Sequence, residues 1–170
     1  MVPVIIKRNI ISGKIIEIMN IGIQDELLVR IKEDHKNFKA LTTGHTVILG
    51  RKTLSTFPGG LPLKNRTNII MSRDSAYSVE GAKVAHSVDE VLEMVKEIDD
   101  EVFVIGGGTV YDQLLPYCDK AIVTRIDHTY EADTYFHDLD ADEEWEITDT
   151  SDEQTYFDLT YHFVTYERKK

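Results

Sequence analysis

The segment Val102-Phe103-Val104-Ile105-Gly106-Gly107-Gly108 limits the folds open to this chain more than any other. Four consecutive apolar residues, three of them β-branched, form a strand with no side suited to water. Such a strand needs cover on both faces, as an inner strand of a parallel sheet has between helices. The glycines end it at once, and Thr109 to Leu115 then reads as a helix. At a strand–glycine–helix junction no Cβ stands between the backbone and a ligand. The N–H groups that open the helix suit phosphate. The pattern is neither Gly-x-Gly-x-x-Gly nor a Walker loop, and a tight strand-to-helix turn accounts for it equally well when it is taken alone.

The rest of the chain repeats this alternation. Ile31 to Leu41 reads as a helix with Ile31, Asp34, His35, Phe38 and Leu41 on one face. Thr46 to Leu49 is a buried strand, Arg51 to Thr56 opens a helix, and Asn68 to Met71 is a second buried strand. Ala82 to Ala85 is a weak edge strand. Ser87-Val88-Asp89-Glu90 is a capping box for a helix running to about Ile98. Ala121 to Ile126 is a strand, and the tail alternates as strands at Trp145 to Thr148 and Tyr156 to Tyr166. The order predicts an α/β fold with a central mixed, mainly parallel sheet flanked by helices and an antiparallel C-terminal strand.

At 170 residues without internal repeats or linkers, a single domain over 1–170 is expected. The first eight residues lack the pattern of a signal peptide, and no apolar run reaches transmembrane length. One cysteine, Cys118, allows no internal disulfide, so a cytoplasmic location is expected. Six scattered histidines without a His-x-x-x-His pair predict no metal site. The net charge of −11 argues against nucleic acid as a partner. It is unevenly placed: residues 1–73 carry +7 and residues 74–170 carry −18. The basic half suits an anionic small molecule.

Three further features carry chemistry. Asp34 shares a face with Ile31, Phe38 and Leu41, where a carboxylate is costly to bury unless it is hydrogen-bonded or functional. A salt-bridged acid in a first helical turn is the plainer explanation. Gly50-Arg51-Lys52-Thr53 follows a strand directly and makes a phosphate cradle, with Arg73 past the next strand; exposed basic residues are the alternative. Arg66, after the loop Pro58 to Asn65, is suited to a carboxylate or is a surface residue.

Together and in this order the motifs resemble the dihydrofolate reductase family. The resemblance spans about residues 21–166. It rests on Ile21-Gly22 with Asp25 to Asp34, Thr46 to Thr53, Leu61 to Ile70, Val104 to Tyr111, Thr124 to Asp127 and Ala132 to Phe136. It implies a dihydrofolate reductase-like fold, dihydrofolate as substrate, NADPH as cofactor and a monomer. It implies that Asp34 holds the pterin and that Thr124 hydrogen-bonds Asp34. Leu27, Val29, His35, Phe38, Phe57, Leu63, Ile105 and Tyr111 would border the substrate, and Arg66 would clamp its glutamate carboxylate. Ile21, Gly50, Arg51, Lys52, Thr53, Met71, Ser72, Arg73, Ile105, Gly106, Gly107, Gly108, Thr109, Val110 and Tyr111 would hold the cofactor. The first glycine pair would be joined by a cis peptide.

The chain departs from the family at four places. Val29 stands where many members carry Trp, His35 where Leu is usual, and Lys32 where Pro is frequent. Residues 1–20 do not match the family's small apolar first strand: either Val4 to Ile6 or Ile15 to Met19 supplies it in a shifted register, or the region is remodelled. A reductase of another heterocycle and a non-catalytic NADPH- or folate-binding protein are the alternatives to dihydrofolate reduction.

Overall fold

Apolar runs and amphipathic helices resolve into a sheet covered on both faces. The computed structural model describes residues 9–10, 13–18, 22–23, 26–27, 31–126 and 136–170, with side chains for the last two ranges. The strands are β1 (Asn9–Ile10), β2 (Gly13–Ile18), β3 (Gly22–Ile23), β4 (Glu26–Leu27), β5 (Thr46–Gly50), β6 (Thr67–Met71), β7 (Lys83–Ala85), β8 (Glu101–Gly106), β9 (Lys120–Ile126), β10 (Trp145–Thr150), β11 (Gln154–Tyr156) and β12 (Leu159–Arg168). The α-helices are α1 (Lys32–Thr42), α2 (Arg51–Ser55), α3 (Val88–Val95) and α4 (Gly108–Leu114).

The main sheet runs β10-β12-β9-β2-β8-β5-β6-β7, with β1 beside β2 and β11 beside β12. Strands β9, β2, β8, β5, β6 and β7 pair in parallel. β12 is antiparallel to β9, β10 and β11. This is the mixed, mainly parallel α/β sheet with an antiparallel C-terminal strand that the alternation predicts. Of the two N-terminal candidates for the first strand, Ile15 to Met19 is the one that overlaps the strand at the sheet centre, which runs Gly13–Ile18, with Ile16 opposite Phe103 of β8 and Lys120 of β9. The other, Val4 to Ile6, lies outside the described residues.

Period-two alternation builds two cores from the same strands. On one face Val47, Leu49, Ile70, Phe103 and Ile105 pack with Phe38 of α1, Leu54 of α2 and Phe57. On the other, Ile48, Ile69, Val102, Val104, Ala121 and Val123 pack with Val91 and Val95 of α3 and with Val110, Tyr111 and Leu114 of α4. Phe103 and Val104 are both fully buried, which is why β8 is apolar without interruption.

The sheet order has a consequence for function. From β2 the chain moves outward through β5, β6 and β7, returns as β8 between β2 and β5, and passes to β9 on the far side of β2. Neighbours β5 and β8 therefore send the chain in opposite directions, α2 onto one face and α4 onto the other. A crevice opens outside their carboxyl ends, at a topological switch point.

Most element ends fall within one or two residues of expectation, and two elements depart further. Ser87 caps α3, accepting the Glu90 N–H at 3.1 Å, and the Glu90 carboxylate reaches back to the His86 N–H at 2.7 Å. The helix ends at Val95 rather than near Ile98, because the chain tightens and the Ile98 N–H bonds the Val95 carbonyl three residues back. The expected strand Tyr156 to Tyr166 is broken by a hairpin at Phe157-Asp158, with Tyr156 paired to Leu159. Phe157 is 89% exposed with φ +55°. Neither glycine nor asparagine marks this turn, so the β-forming Phe conceals it. Phe157→Asn is expected to stabilise the fold by about 0.5–1 kcal/mol, since Asn takes the left-handed region more readily. Urea denaturation of the two proteins measures it.

Candidate active site

Asp34 occupies the first turn of α1, where the helix dipole favours an acid. The 3.6-residue period that buries Phe38 also buries Asp34, which is 1% exposed. Thr124, on β9 and equally buried, donates its hydroxyl to Asp34 Oδ1 at 2.6 Å. Burial pushes the Asp34 carboxyl up to about 6, against the opposing pull of the Thr124 bond. Burial, and then the charges of Glu33 and Asp34, also raise the pKa of the Tyr161 phenol on β12.

Asp34 shares the buried face of α1 with Phe38, which packs in the apolar layer with Phe57 and Ile105, Leu63 lying at that layer's edge. Asn68, which the sequence reading passed over, holds the loop carrying Leu63 and Arg66. Its Oδ1 accepts the Leu63 N–H at 3.0 Å, and its Nδ2 donates to the carbonyls of Leu63 at 2.9 Å and Arg66 at 3.1 Å. A buried polar residue opening an apolar strand was the available signal. Arg66 Nε donates to Thr42 Oγ1 and its Nη1 to the Lys64 carbonyl, both at 2.8 Å. Its guanidinium lies 5.6 Å from the centre of the Phe38 ring. Partial burial lowers the Arg66 pKa from its ordinary value. Two of its five N–H donors are thus fixed, and none of the described residues engages the other three.

At the switch point the backbone is nearly bare. Gly106 and Gly107 are joined by a cis peptide, and Gly106 has φ +124°, a conformation open to glycine and strained for other residues. A Cβ on Gly107 would lie 3.0 Å from Thr53 Oγ1, and one on Gly50 would lie 3.2 Å from Val110 Cγ2. The ends of β5 and β8 therefore touch through glycines, leaving backbone at the surface of the crevice. The N–H groups of Val110 and Tyr111 bond the Gly107 carbonyl at 2.9 and 3.0 Å and start α4.

A cationic corner lies beyond β5 and β6. Arg51 Nη1 donates to Asp74 Oδ2 at 3.0 Å, and its guanidinium stacks 4.2 Å from the centre of the Tyr77 ring. The Ala76 N–H, and then Arg51, hold the Asp74 carboxyl below its usual range. Ser72 lies just past β6 with its N–H on the Ala85 carbonyl at 3.0 Å, followed by exposed Arg73. The sequence reading missed Asp74 and Tyr77, since their meeting with Arg51 is tertiary.

The fold thus brings together Asp34, Thr124, Phe38, Phe57, Leu63, Arg66 and Ile105 on one side of the sheet. It brings Gly50, Arg51, Lys52, Thr53, Met71, Ser72, Arg73 and Gly106 to Val110 to the carboxyl ends of the parallel strands. Thr124, near the end of β9, and Gly106, at the end of β8, are separated only by β2, hence by about 10 Å of sheet. Tyr111 is placed differently from the other substrate candidates. It is buried in the opposite layer, edge-on to Phe136. His35 is exposed on α1, its ring centre 6.4 Å from that of Phe38. Ile21 and Val29 lie outside the described residues, as does the side chain of Leu27, whose backbone forms part of β4.

A glycine-lined crevice at a switch point, with cations at one end and a buried carboxyl in an apolar layer at the other, defines a nucleotide-binding α/β enzyme. The chain matches the family model described as dihydrofolate reductase over residues 15–168. It is 36% identical to the dihydrofolate reductase of Staphylococcus haemolyticus over 151 residues, covering 87% of this chain and 88% of that protein. It is 35% identical to that of Bacillus subtilis (strain 168) over 153 residues, 88% of each. Among solved structures, dihydrofolate reductase from Enterococcus faecalis complexed with NADP(H) and RAB-propyl superposes with a TM-score of 0.79 at 32% identity, covering 88% of this chain and 89% of that one. The chain belongs to the dihydrofolate reductase family.

The position of Asp34 has a cost in stability. Its folded-state pKa of about 6 lies above the value of about 3.9 expected in the unfolded chain. Its contribution to stability is therefore full below about pH 4 and is lost as the pH rises through about 6. Asp34→Asn keeps an oxygen for Thr124 and removes the charge. The variant is expected to be more stable than the parent at about pH 8, by up to about 3 kcal/mol, with the gain vanishing near pH 4. Urea denaturation at both pH values checks this.

Proposed function

We propose that this protein reduces 7,8-dihydrofolate to tetrahydrofolate with NADPH, with Asp34 as the group that holds and activates the pterin. The observation carrying this is the Asp34 carboxyl itself: charged chemistry placed in an apolar layer, aligned by Thr124 and adjacent across the sheet to the glycine crevice. A carboxylate there is suited to the amino and ring N–H groups of a pterin, two parallel donors for two oxygens. Its charge also favours the ring as it gains a proton at N5, which arrives through water. Phe38, Phe57, Leu63 and Ile105 enclose the flat rings, and Arg66, steadied by Thr42 and Asn68, takes the glutamate carboxylate.

The crevice suits a dinucleotide, because bare backbone at Gly50 and Gly106 to Gly108 admits a pyrophosphate. NADPH, when bound, supplies the hydride that goes to C6 of the pterin. Thr53, Thr109 and Val110 border the pyrophosphate, and Tyr111 borders the nicotinamide. Arg51, Lys52, Ser72 and Arg73 take the adenosine phosphates, and their cationic character favours NADPH over NADH. Ile21 and Met71 complete the cofactor contacts, while Leu27, Val29 and His35 complete the substrate's. A parallel strand, β2, occupies the sheet centre between β8 and β9, which supports catalysis over a binding protein with a disabled core. The same reading takes residues 1–170 as one domain acting as a monomer in the cytoplasm, in keeping with the one, buried Cys118.

Purified protein is expected to oxidise NADPH in a dihydrofolate-dependent manner, followed at 340 nm. Asp34→Asn should lower kcat/KM on the order of 10²–10³-fold while the protein stays folded. Undiminished turnover in that variant would remove Asp34 from the mechanism. Arg66→Leu is expected to raise KM for dihydrofolate about 10- to 100-fold with kcat little changed, since a carboxylate clamp acts equally in ground and transition states.

A further inference from the structure

The turn after β6 carries a negative charge into a corner otherwise built of cations. Asp74 follows Arg73 directly, and a tight turn sets its side chain: Oδ1 accepts the Ala76 N–H at 3.0 Å, and the Tyr77 N–H bonds the Asp74 carbonyl at 3.0 Å. Its other oxygen, Oδ2, accepts from Arg51 Nη1 at 3.0 Å. The same turn brings the Tyr77 ring against the Arg51 guanidinium, 4.2 Å from its centre. The Ala76 N–H and then Arg51 hold the carboxyl below its usual range, so the group is an anion at neutral pH.

This placement has two opposite effects on an anion arriving at Arg51. The bond orients the guanidinium, but both side chains are 52% exposed, and an ion pair so exposed contributes little. Tyr77 orients the same group through its ring and adds no charge. Against this, the carboxylate sets a negative charge beside the group that would take a phosphate. A guanidinium bonded to both keeps them closer than the roughly 10 Å over which about 0.1 M salt screens charge. A phosphate monoester carries close to two negative charges, so the repulsion is felt twice over. Repulsion therefore outweighs orientation. Arg51 and Arg73 bring two positive charges to the corner, and Asp74 cancels one of them.

We propose that Asp74 is a specificity-determining residue for the coenzyme: its carboxylate restrains the affinity that Arg51 and Arg73 give to a 2′-phosphate, so that the chain discriminates less between NADPH and NADH than its cations alone would allow. This rests on the coenzyme reading above. NADH has a neutral hydroxyl where NADPH has the phosphate, so the effect of Asp74 falls on NADPH alone.

The test is isothermal titration calorimetry with NADPH and with NADH at about pH 8, where a phosphate monoester is dianionic. The proteins are the parent, Asp74→Asn, which keeps an oxygen for the Ala76 N–H and removes the charge, and Asp74→Glu, which keeps the charge. Each is titrated in about 0.02 M and about 0.3 M salt. Asp74→Asn is expected to bind NADPH about three- to tenfold more tightly than the parent at low salt, with most of the gain lost at high salt. Its affinity for NADH, and both affinities of Asp74→Glu, are expected to stay within about twofold of the parent. Unchanged or weaker NADPH binding in Asp74→Asn would overturn the proposal, since the orienting bond would then equal or outweigh the repulsion. An equal gain for NADH, or the same gain in Asp74→Glu, would overturn it as well. Failure of NADPH to bind any of the three folded proteins would instead overturn the coenzyme reading itself.

Discussion

Burial of β8 on both faces is the constraint from which the rest of this structure follows. A strand with Phe103 facing one layer and Val104 the other can exist only inside a sheet covered twice. That cover comes from α1 and α2 on one side and from α3 and α4 on the other. Since β5 and β8 are neighbours and their helices leave to opposite faces, the sheet is obliged to part at their ends. At that parting a Cβ on Gly50 or Gly107 would crowd the side chains of Val110 and Thr53, so glycine is the residue that fits there without displacing them. The crevice is thus a product of core packing before it is a binding site.

The site spends some of the stability that the core supplies. Asp34 lies in an apolar layer where a carboxyl prefers its proton, and its Thr124 partner offsets only part of that preference. The arrangement is unfavourable for folding at neutral pH and favourable for gripping a flat, hydrogen-bonding heterocycle. Arg66 is treated similarly: partly desolvated beside Phe38, held by Thr42 and by a loop that Asn68 ties down. Both charged groups are oriented before any ligand arrives, which lowers the entropic cost of binding.

Electrostatics divide along the same lines. The chain is strongly acidic overall, yet the segment that builds α1, α2 and the loops after β5 and β6 is cationic. At the corner beyond β6 this charge is tempered by Asp74, which pairs with Arg51 while Tyr77 supports the guanidinium face. The arginine gains a defined position and gives up part of its net charge.

Much of this was legible in the residues. The unbroken apolar run before Gly106, the alternation of strands and helices, the cap at Ser87 and the acid on the apolar side of α1 each follow from local chemistry. Together they set the fold class and point to Asp34, Arg51 and the glycines. The Phe157 turn was concealed by a residue that favours strands, and the choice between two Ile-rich N-terminal segments was open because both have the same strand-forming composition. Asn68, Asp74 and Tyr77 acquired their roles only through folding. What the sequence by itself determined was which segments form strands and helices and which of their faces are apolar, since propensity and periodicity act over a few neighbouring residues. What only the tertiary structure decided was which strand fills the sheet centre and which distant side chains meet without a sequence signal, Arg51 with Asp74 and Tyr77, because those pairings depend on the order in which strands pack.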